Sequence, residues 1–298
     1  MTRRASRFFR GKLACVAAAV LTVLVAAACL APWLAHQNPY DLSQLDILSS
    51  LMPPGSVSDH GYTYWLGTDD QGRDLYSAVL YGLRVSLAVA ALGTGIALVV
   101  GVTIGLVCAY AGGRIDALFM RLADLQLALP SVLTALVLMA LLGPGLGKVV
   151  IAIAASQWAY FARTLRSSAQ VESAKEYIMA ARTLRYRAGR IMFRHLLPNS
   201  VGPLGVLVVV ELAGAVALEA TLSFLGVGLP ITEPSLGLLI ANGYTYMLAR
   251  QYWISVMPGL VLLVLLLSIN VIGERLRQVN DPRAVALEAA RGDRRIVQ

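Results

Sequence analysis

The chain has 298 residues, 57% of them hydrophobic and 14% charged, and its mean hydropathy is +0.68. Soluble domains are about half apolar and about a quarter charged, so this composition excludes an ordinary soluble globular protein. The formal net charge of +8 does not call for a nucleic-acid partner, because the basic residues follow the ends of apolar runs and form no single patch.

Six apolar runs lie near the bilayer-spanning length of about 20 residues: about 13–34, 84–111, 117–142, 147–168, 200–228 and 254–273. The fifth is interrupted by Gly202-Pro203. Only helices and closed barrels satisfy their backbone in lipid, and alternating ten-residue strands are absent. The pattern predicts an all-α polytopic membrane protein with about six transmembrane helices.

Residues 1–34 read as a cytoplasmic N-terminus and first transmembrane helix, with Arg3, Arg4, Arg7, Arg10 and Lys12 ahead of the apolar run. Ala26-Ala27-Ala28-Cys29 resembles a signal-cleavage site, but an uncleaved span is the simpler reading when five more follow. Residues 35–83 read as an extracytoplasmic segment, rich in turn markers such as Pro53-Pro54-Gly55 and mostly irregular. Near its end Leu75, Val79, Leu80 and Leu83 suggest an amphipathic helix at the interface. Asp69, Asp70 and Asp74 lack the spacing and terminal glutamate of a calcium loop, and predict a turn followed by a helix start.

Residues 84–273 read as a five-helix core with a cytoplasmic loop at about 169–199. Gly112-Gly113-Arg114 breaks the chain between spans two and three. Arg121 and Asp124, three apart, are placed to pair on one helix face, and Pro130 predicts a kink. Gly143-Pro144-Gly145-Leu146-Gly147-Lys148 fails as a phosphate loop: Leu142 stands at the first glycine position and Val149 follows the lysine. Cys15, Cys29 and Cys108 lie in apolar runs and read as small buried hydrophobes. Residues 274–298 read as a cytoplasmic tail.

Arginines and lysines gather before the first span, in the 169–199 loop and after the last span. The opposite side receives only Arg73, Arg84, Lys148 and Arg250. This is the positive-inside pattern, and it places both termini in the cytoplasm. In the loop, Ser173 and Glu176 have capping-box spacing. Tyr177, Ala180, Ala181 and Leu184 then fall on one apolar face, with Arg182 and Arg185 projecting elsewhere. A second basic helix, roughly 187–197, leads to Pro198. Glu211 and Glu219 lie in the fifth run, eight apart and so on roughly one face. Intramembrane acids carry a functional or paired reading, and both are candidates for a translocation pathway, with a structural role near the outer end of the helix as the alternative for Glu219. His36, His60 and His195 are too scattered to predict a catalytic centre.

The loop resembles the cytoplasmic signature of the membrane subunits of binding-protein-dependent ABC importers. That signature has Glu-Ala-Ala, a glycine four residues after the second alanine, and Leu-Pro further on. Ala180, Ala181, Leu197 and Pro198 match, whereas Met179 stands at the glutamate and Arg185 at the glycine. Residues 65–74, reading WLGTDDQGRD, resemble a segment of the dipeptide/oligopeptide/nickel permease family, as do residues 112–116, residues 120–124, Leu129-Pro130 and the run Glu219–Gly226. Pro234-Ser235-Leu236-Gly237 and Asp281-Pro282-Arg283 fit its C-terminal third. The resemblance is collinear over about residues 1–283 and is to the C-type permease of the pair.

The resemblance implies a type I ABC importer permease fold in the bacterial cytoplasmic membrane, in a subunit that is not itself an enzyme. It implies a second homologous permease, two ATPase subunits or domains, an extracytoplasmic substrate-binding protein, surrounding lipid and no nucleic acid. ATP and Mg would sit on the ATPases, with no cofactor on this chain. Glu176, Tyr177, Met179, Ala180, Ala181, Arg182, Leu184 and Arg185 would form the coupling helix that docks on an ATPase. A non-glycine residue at 185 predicts a shifted turn or an extended helix, or instead a contact from Arg185 to an acidic patch on the ATPase.

Overall fold

The computed structural model describes residues 11–41, 45, 47–58, 61–230 and 232–280. The basic residues before Gly11, His60 and the segment Asp281-Pro282-Arg283 with the tail beyond it lie outside the described residues. The described chain is mostly helical. Helix α1 spans Lys12–Cys29, α2 Leu75–Ala111, α3 Gly113–Ala128, α4 Ser131–Leu142 and α5 Leu146–Ser173. A short helix α6, Glu176–Thr183, is followed by a helical stretch over residues 188–200. Helices α7 Leu204–Phe224, α8 Leu236–Tyr244 and α9 Trp253–Asn280 complete the bundle.

The interfacial helix and the second span expected from the sequence are one element. No breaker separates them, and α2 runs unbroken for 37 residues. At 1.5 Å per residue it is about 55 Å long, well beyond the hydrocarbon thickness, so one end must project from the bilayer. Asp74 starts it: its carboxylate accepts the Ser77 N–H at 3.1 Å. Just before it, Asp69 accepts the backbone N–H groups of Gln71 and Arg73, and the Arg73 side chain at 2.6 Å. Arg73 and Asp69 are both buried, which suits a paired charge out of water. The three acids therefore form a turn and a helix cap, as their spacing predicts. Gly67 has φ +81°, and a Cβ there would lie 2.6 Å from the Met52 carbonyl. A hairpin of two-residue strands, β1 Ser56–Val57 against β2 Thr63–Tyr64, and a 3-10 turn at Ile47–Ser49 are regular elements among the described residues of this segment.

The third apolar run breaks at Leu129-Pro130, where α3 and α4 meet at 96°. Proline cannot donate to the helix and pushes the preceding residue to extended geometry; Leu129 has ψ 137°. The expected Arg121–Asp124 pair does not form. Asp124 pairs with Arg163 on α5, and Asp116 is held in a two-pronged contact by Arg166, one turn further along α5. Two ion pairs thus join α3 to α5 at the end of the bundle that carries α6.

By length and composition α1, α2, α7 and α9 can each cross a membrane, and the bent pair α3–α4 would add a fifth if taken as one span. The remaining expected span, the fourth run, is α5, which is less apolar because it carries Ser156, Gln157, Arg163 and Arg166. It is shielded by its packing along α2. Gly101 and Gly105 permit that packing: a Cβ on either would lie 2.4 Å from a backbone carbonyl of α5. One core joins Leu83, Ile153, Val216, Leu236 and Leu265 from α2, α5, α7, α8 and α9. A second, at the α6 end, joins Leu106, Phe161, Leu165, Ile178, Ile191 and Leu196. Helix α8 carries no separate signal in the apolar runs. It is capped by the Ser235 hydroxyl on the Leu238 N–H and pressed against α7, where a Cβ on Gly237 would lie 2.4 Å from the Ala220 carbonyl.

Candidate functional site

The loop between α5 and α7 is built as a small helical platform. Helix α5 ends at Ser173, whose hydroxyl bonds back to the Gln170 carbonyl at 2.8 Å. The expected capping box therefore does not form. Lys175 takes the N-cap position with extended geometry and no side-chain cap, because Ser173 is still inside the preceding helix and cannot turn to the N–H groups of the next. Helix α6 then runs eight residues and stops.

The turn after α6 keeps its place despite lacking glycine. Arg185 has φ +53°, in the left-handed region. Its N–H bonds the Arg182 carbonyl at 2.9 Å and the Tyr186 N–H bonds the Ala181 carbonyl at 3.2 Å. These are the two bonds of a Schellman terminus, which satisfies carbonyls the helix leaves open. The sequence predicts a shifted turn or a longer helix; the structure shows neither. The backbone bonds hold Arg185 in a conformation that costs a residue with a Cβ about 1–2 kcal/mol.

The faces of α6 are rotated from the expected ones. Ile178 and Ala181 are the residues buried against the second core. Glu176, Met179, Ala180 and Thr183 follow at i, i+3, i+4 and i+7 and are exposed. Leu184, placed by periodicity with Ala181, is 67% exposed. Ala181 faces the bundle and is not available to a docking partner, whereas Met179, Ala180 and Leu184 are. Thr183, which no motif marked, shares the outward face.

Three side chains tie α6 to the spans. The Tyr177 hydroxyl donates to Glu172 on α5 and accepts from Asn199 Nδ2 at 3.2 Å. Lys175 Nζ lies 2.7 Å from the other Glu172 oxygen. At the far end the Arg182 guanidinium stacks over the Tyr110 ring of α2, 5.1 Å from its centroid. The stretch after it is held by Arg190 over Tyr186 and by Tyr186 stacked on His195. It widens to a π-helix over Ile191–Leu196, where Pro198 offers no N–H to the Arg194 carbonyl. Glu172, Tyr110 and Asn199 lie outside the recognised signature, and nothing in their local sequence marks them.

Glu211 and Glu219 do not share a surroundings. Eight residues leave them about 80° apart around the helix axis. Glu219 is fully buried. Its oxygens accept Ser86 Oγ from α2 at 2.7 Å and Ser223 Oγ at 2.8 Å, and Ser86 Oγ in turn accepts the Leu236 N–H of α8 at 3.3 Å. This is a structural junction of α2, α7 and α8. Glu211 is half-exposed on α7. Its backbone carbonyl accepts Gln157 Nε2 at 2.7 Å, and Gln157 accepts Thr94 Oγ1 at 3.1 Å.

Residues 101–285 match the family described as "Binding-protein-dependent transport system inner membrane component". Residues 1–54 match the "N-terminal TM domain of oligopeptide transport permease C". Among curated relatives, the chain is 36% identical over 263 residues to the di/tripeptide transport system permease protein DppC of Pseudomonas aeruginosa (strain UCBPP-PA14), covering 88% of this chain and 86% of that one. It is 37% identical over 279 residues to a putative peptide transport system permease protein of Brucella suis biovar 1, covering 94% and 90%. It is 32% identical over 277 residues to the dipeptide transport system permease protein DppC of Bacillus subtilis (strain 168), covering 93% and 84%. Among solved structures, an inward-facing MetNI methionine ABC transporter chain superposes with a TM-score of 0.52 at 17% identity, covering 68% of this chain and 96% of that one. That likeness is one of fold.

Proposed function

The chain belongs to the family of binding-protein-dependent transport system inner membrane components, as a multi-pass, C-type permease subunit, and we propose that it forms half of an ATP-driven import pathway for small peptides. The observation that carries this reading is α6: eight residues anchored inward by Ile178 and Ala181 while Glu176, Met179, Ala180 and Thr183 stand out from the bundle. A short helix fixed on one side and bare on the other is a coupling helix in search of a groove. The groove belongs to an ATPase that binds ATP and Mg; this chain performs no chemistry and holds no cofactor. ATP-driven closure of two ATPases moves this helix and its counterpart on a second permease, and the spans rock as rigid bodies between two states.

The α6 end is cytoplasmic on the positive-inside pattern, with both termini on that side. The module around Asp69 and Arg73 then faces outward, where a binding protein delivers solute. Glu211 lines the route, because a half-exposed carboxylate within a span is costly unless it meets water, a partner or a cation. The α-ammonium of a peptide is such a cation. Losing a charged hydrogen bond costs roughly 2 kcal/mol, so Glu211→Gln lowers uptake of free-amino dipeptides at least about tenfold relative to their N-acetylated forms. If the two forms are affected equally, Glu211 has no part in recognising the ammonium group.

Co-purification tests the coupling reading. The tagged wild-type chain, extracted in mild detergent, retains an ATPase and a second permease. Ala180→Trp overpacks the outward face by about 1–3 kcal/mol, enough to cut the recovered ATPase about tenfold while the second permease stays. Recovery of the chain alone, with uptake that survives ATP depletion, would sink the proposal.

A further inference from the structure

An eight-residue helix is too short to hold its own shape or direction in water. Helix α6 must take both from what it rests on. Its apolar seat is small, since Ile178 and Ala181 are its buried residues. Apolar contact is non-directional, so two adjacent side chains of this kind permit the helix to roll or tilt. Hydrogen bonds restrict angle as well as distance, and the structure supplies them at the N-terminal end of α6.

We propose that Glu172, Tyr177 and Asn199 form a positioning rivet that fixes the angle of the coupling helix on the spans, so that ATPase movement is transmitted to the bundle and not absorbed by the loop. The inference rests on α6 being the coupling helix. The geometry joins three elements at one phenol oxygen. Glu172 belongs to the last turn of α5, Tyr177 to the first turn of α6, and Asn199 to the segment that leads into α7. The Tyr177 hydroxyl donates to Glu172 and accepts from Asn199, so both of its hydrogen-bonding roles are used across element boundaries. Asn199 is itself oriented by a second bond from Nδ2 to the His195 carbonyl at 2.8 Å.

Glu172 is the fixed point of the group. Its side chain is 9% exposed, although it lies next to the loop. Lys175 and the Tyr177 hydroxyl hold its carboxyl below the usual carboxylate range, so it is ionised at neutral pH. An ionised acceptor makes the stronger hydrogen bond. At the other end of α6, Arg182 over Tyr110 is a softer contact to α2. One directional tie and one sliding tie on a two-residue apolar seat define a lever with a fixed hinge.

The test uses the assembled transporter in liposomes with its binding protein, and reads solute taken up per ATP hydrolysed alongside the ATPase recovered with the permease. Glu172→Leu removes both acceptor oxygens; Glu172→Gln keeps one for Tyr177. One hydrogen bond contributes about 1 kcal/mol, so the leucine variant is expected to lower uptake per ATP about fivefold while the glutamine variant retains most of it. Tyr177→Phe combined with Glu172→Leu is expected to be no worse than Glu172→Leu alone, since residues of one network do not add. Unchanged uptake per ATP in Glu172→Leu overturns the inference. So does loss of the ATPase from the Glu172→Leu complex, which would make these residues part of docking. If the wild-type complex contains no ATPase, the coupling reading fails first, and the two failures are distinguishable.

Discussion

Gly105→Val is expected to drive α2 and α5 apart and to cost the fold more than any surface change. A Cβ at Gly105 would stand 2.4 Å from the Ala162 carbonyl oxygen and 3.1 Å from the Arg166 nitrogen. Both are backbone atoms inside a helix, so neither can rotate away. Gly101, one turn earlier on the same face, meets the Trp158 carbonyl at 2.4 Å. The helices must separate, and separation loosens Leu106, Phe161 and Leu165, the core beneath α6. Overpacking of this kind costs about 3 kcal/mol or more, and the thermal midpoint in detergent should fall by roughly 5–10 °C. Gly95 supplies the control. It lies in α2 with nothing within 4 Å of its Cβ position. Gly95→Ala should be neutral or stabilising by up to about 1 kcal/mol, the helix-propensity difference between the two residues. Equal midpoints for Gly105→Val and Gly95→Ala would refute the close-approach explanation.

Glu219→Ala is expected to unfasten α8. The carboxylate joins Ser86 and Ser223, and Ser86 holds the first N–H of α8. Removing it opens a cavity and strands two buried hydroxyls, at about 3–5 kcal/mol together. Glu219→Gln keeps the size and an acceptor, and should cost about 1 kcal/mol. Amide exchange at residues 236–239 reads the junction directly. It should accelerate strongly in the alanine variant and little in the glutamine variant. Unaltered exchange in Glu219→Ala would show that α8 is held by packing alone, through Gly237 on Ala220 and Gly243 on Ser255.

The acid–base pairs show how far local spacing carries. Arg121 and Asp124 satisfy the i, i+3 rule, yet Asp124 pairs with Arg163, 39 residues away. Spacing states which side chains can reach each other on an isolated helix. It carries no information about a second helix that offers a better partner. The loop repeats the lesson. The position of the helix is legible from Ala180-Ala181 and the distance to Leu197-Pro198, but that of its terminating turn is not, because Arg185 adopts the left-handed conformation that its side chain argues against. Nor is the direction the helix faces, because Ile178 becomes the inward residue through contact with Ile191 and Leu196 in the second core.

Composition, run length and breakers by themselves determined that this chain is a helical membrane protein and where it bends at Pro130. These features depend on the solvent each segment needs and on backbone chemistry within a few residues. Motif segments determined the family, since they are strings of neighbouring residues. Tertiary structure alone decided that Glu219 is sealed while Glu211 is not, that α6 shows Ala180 and hides Ala181, and that Glu172 is part of the loop's support. Each depends on a partner distant in the chain, as Ser86 is from Glu219 at a separation of 133 residues. A period of 3.6 residues fixes positions around one axis; only packing decides how that axis is turned toward its neighbours.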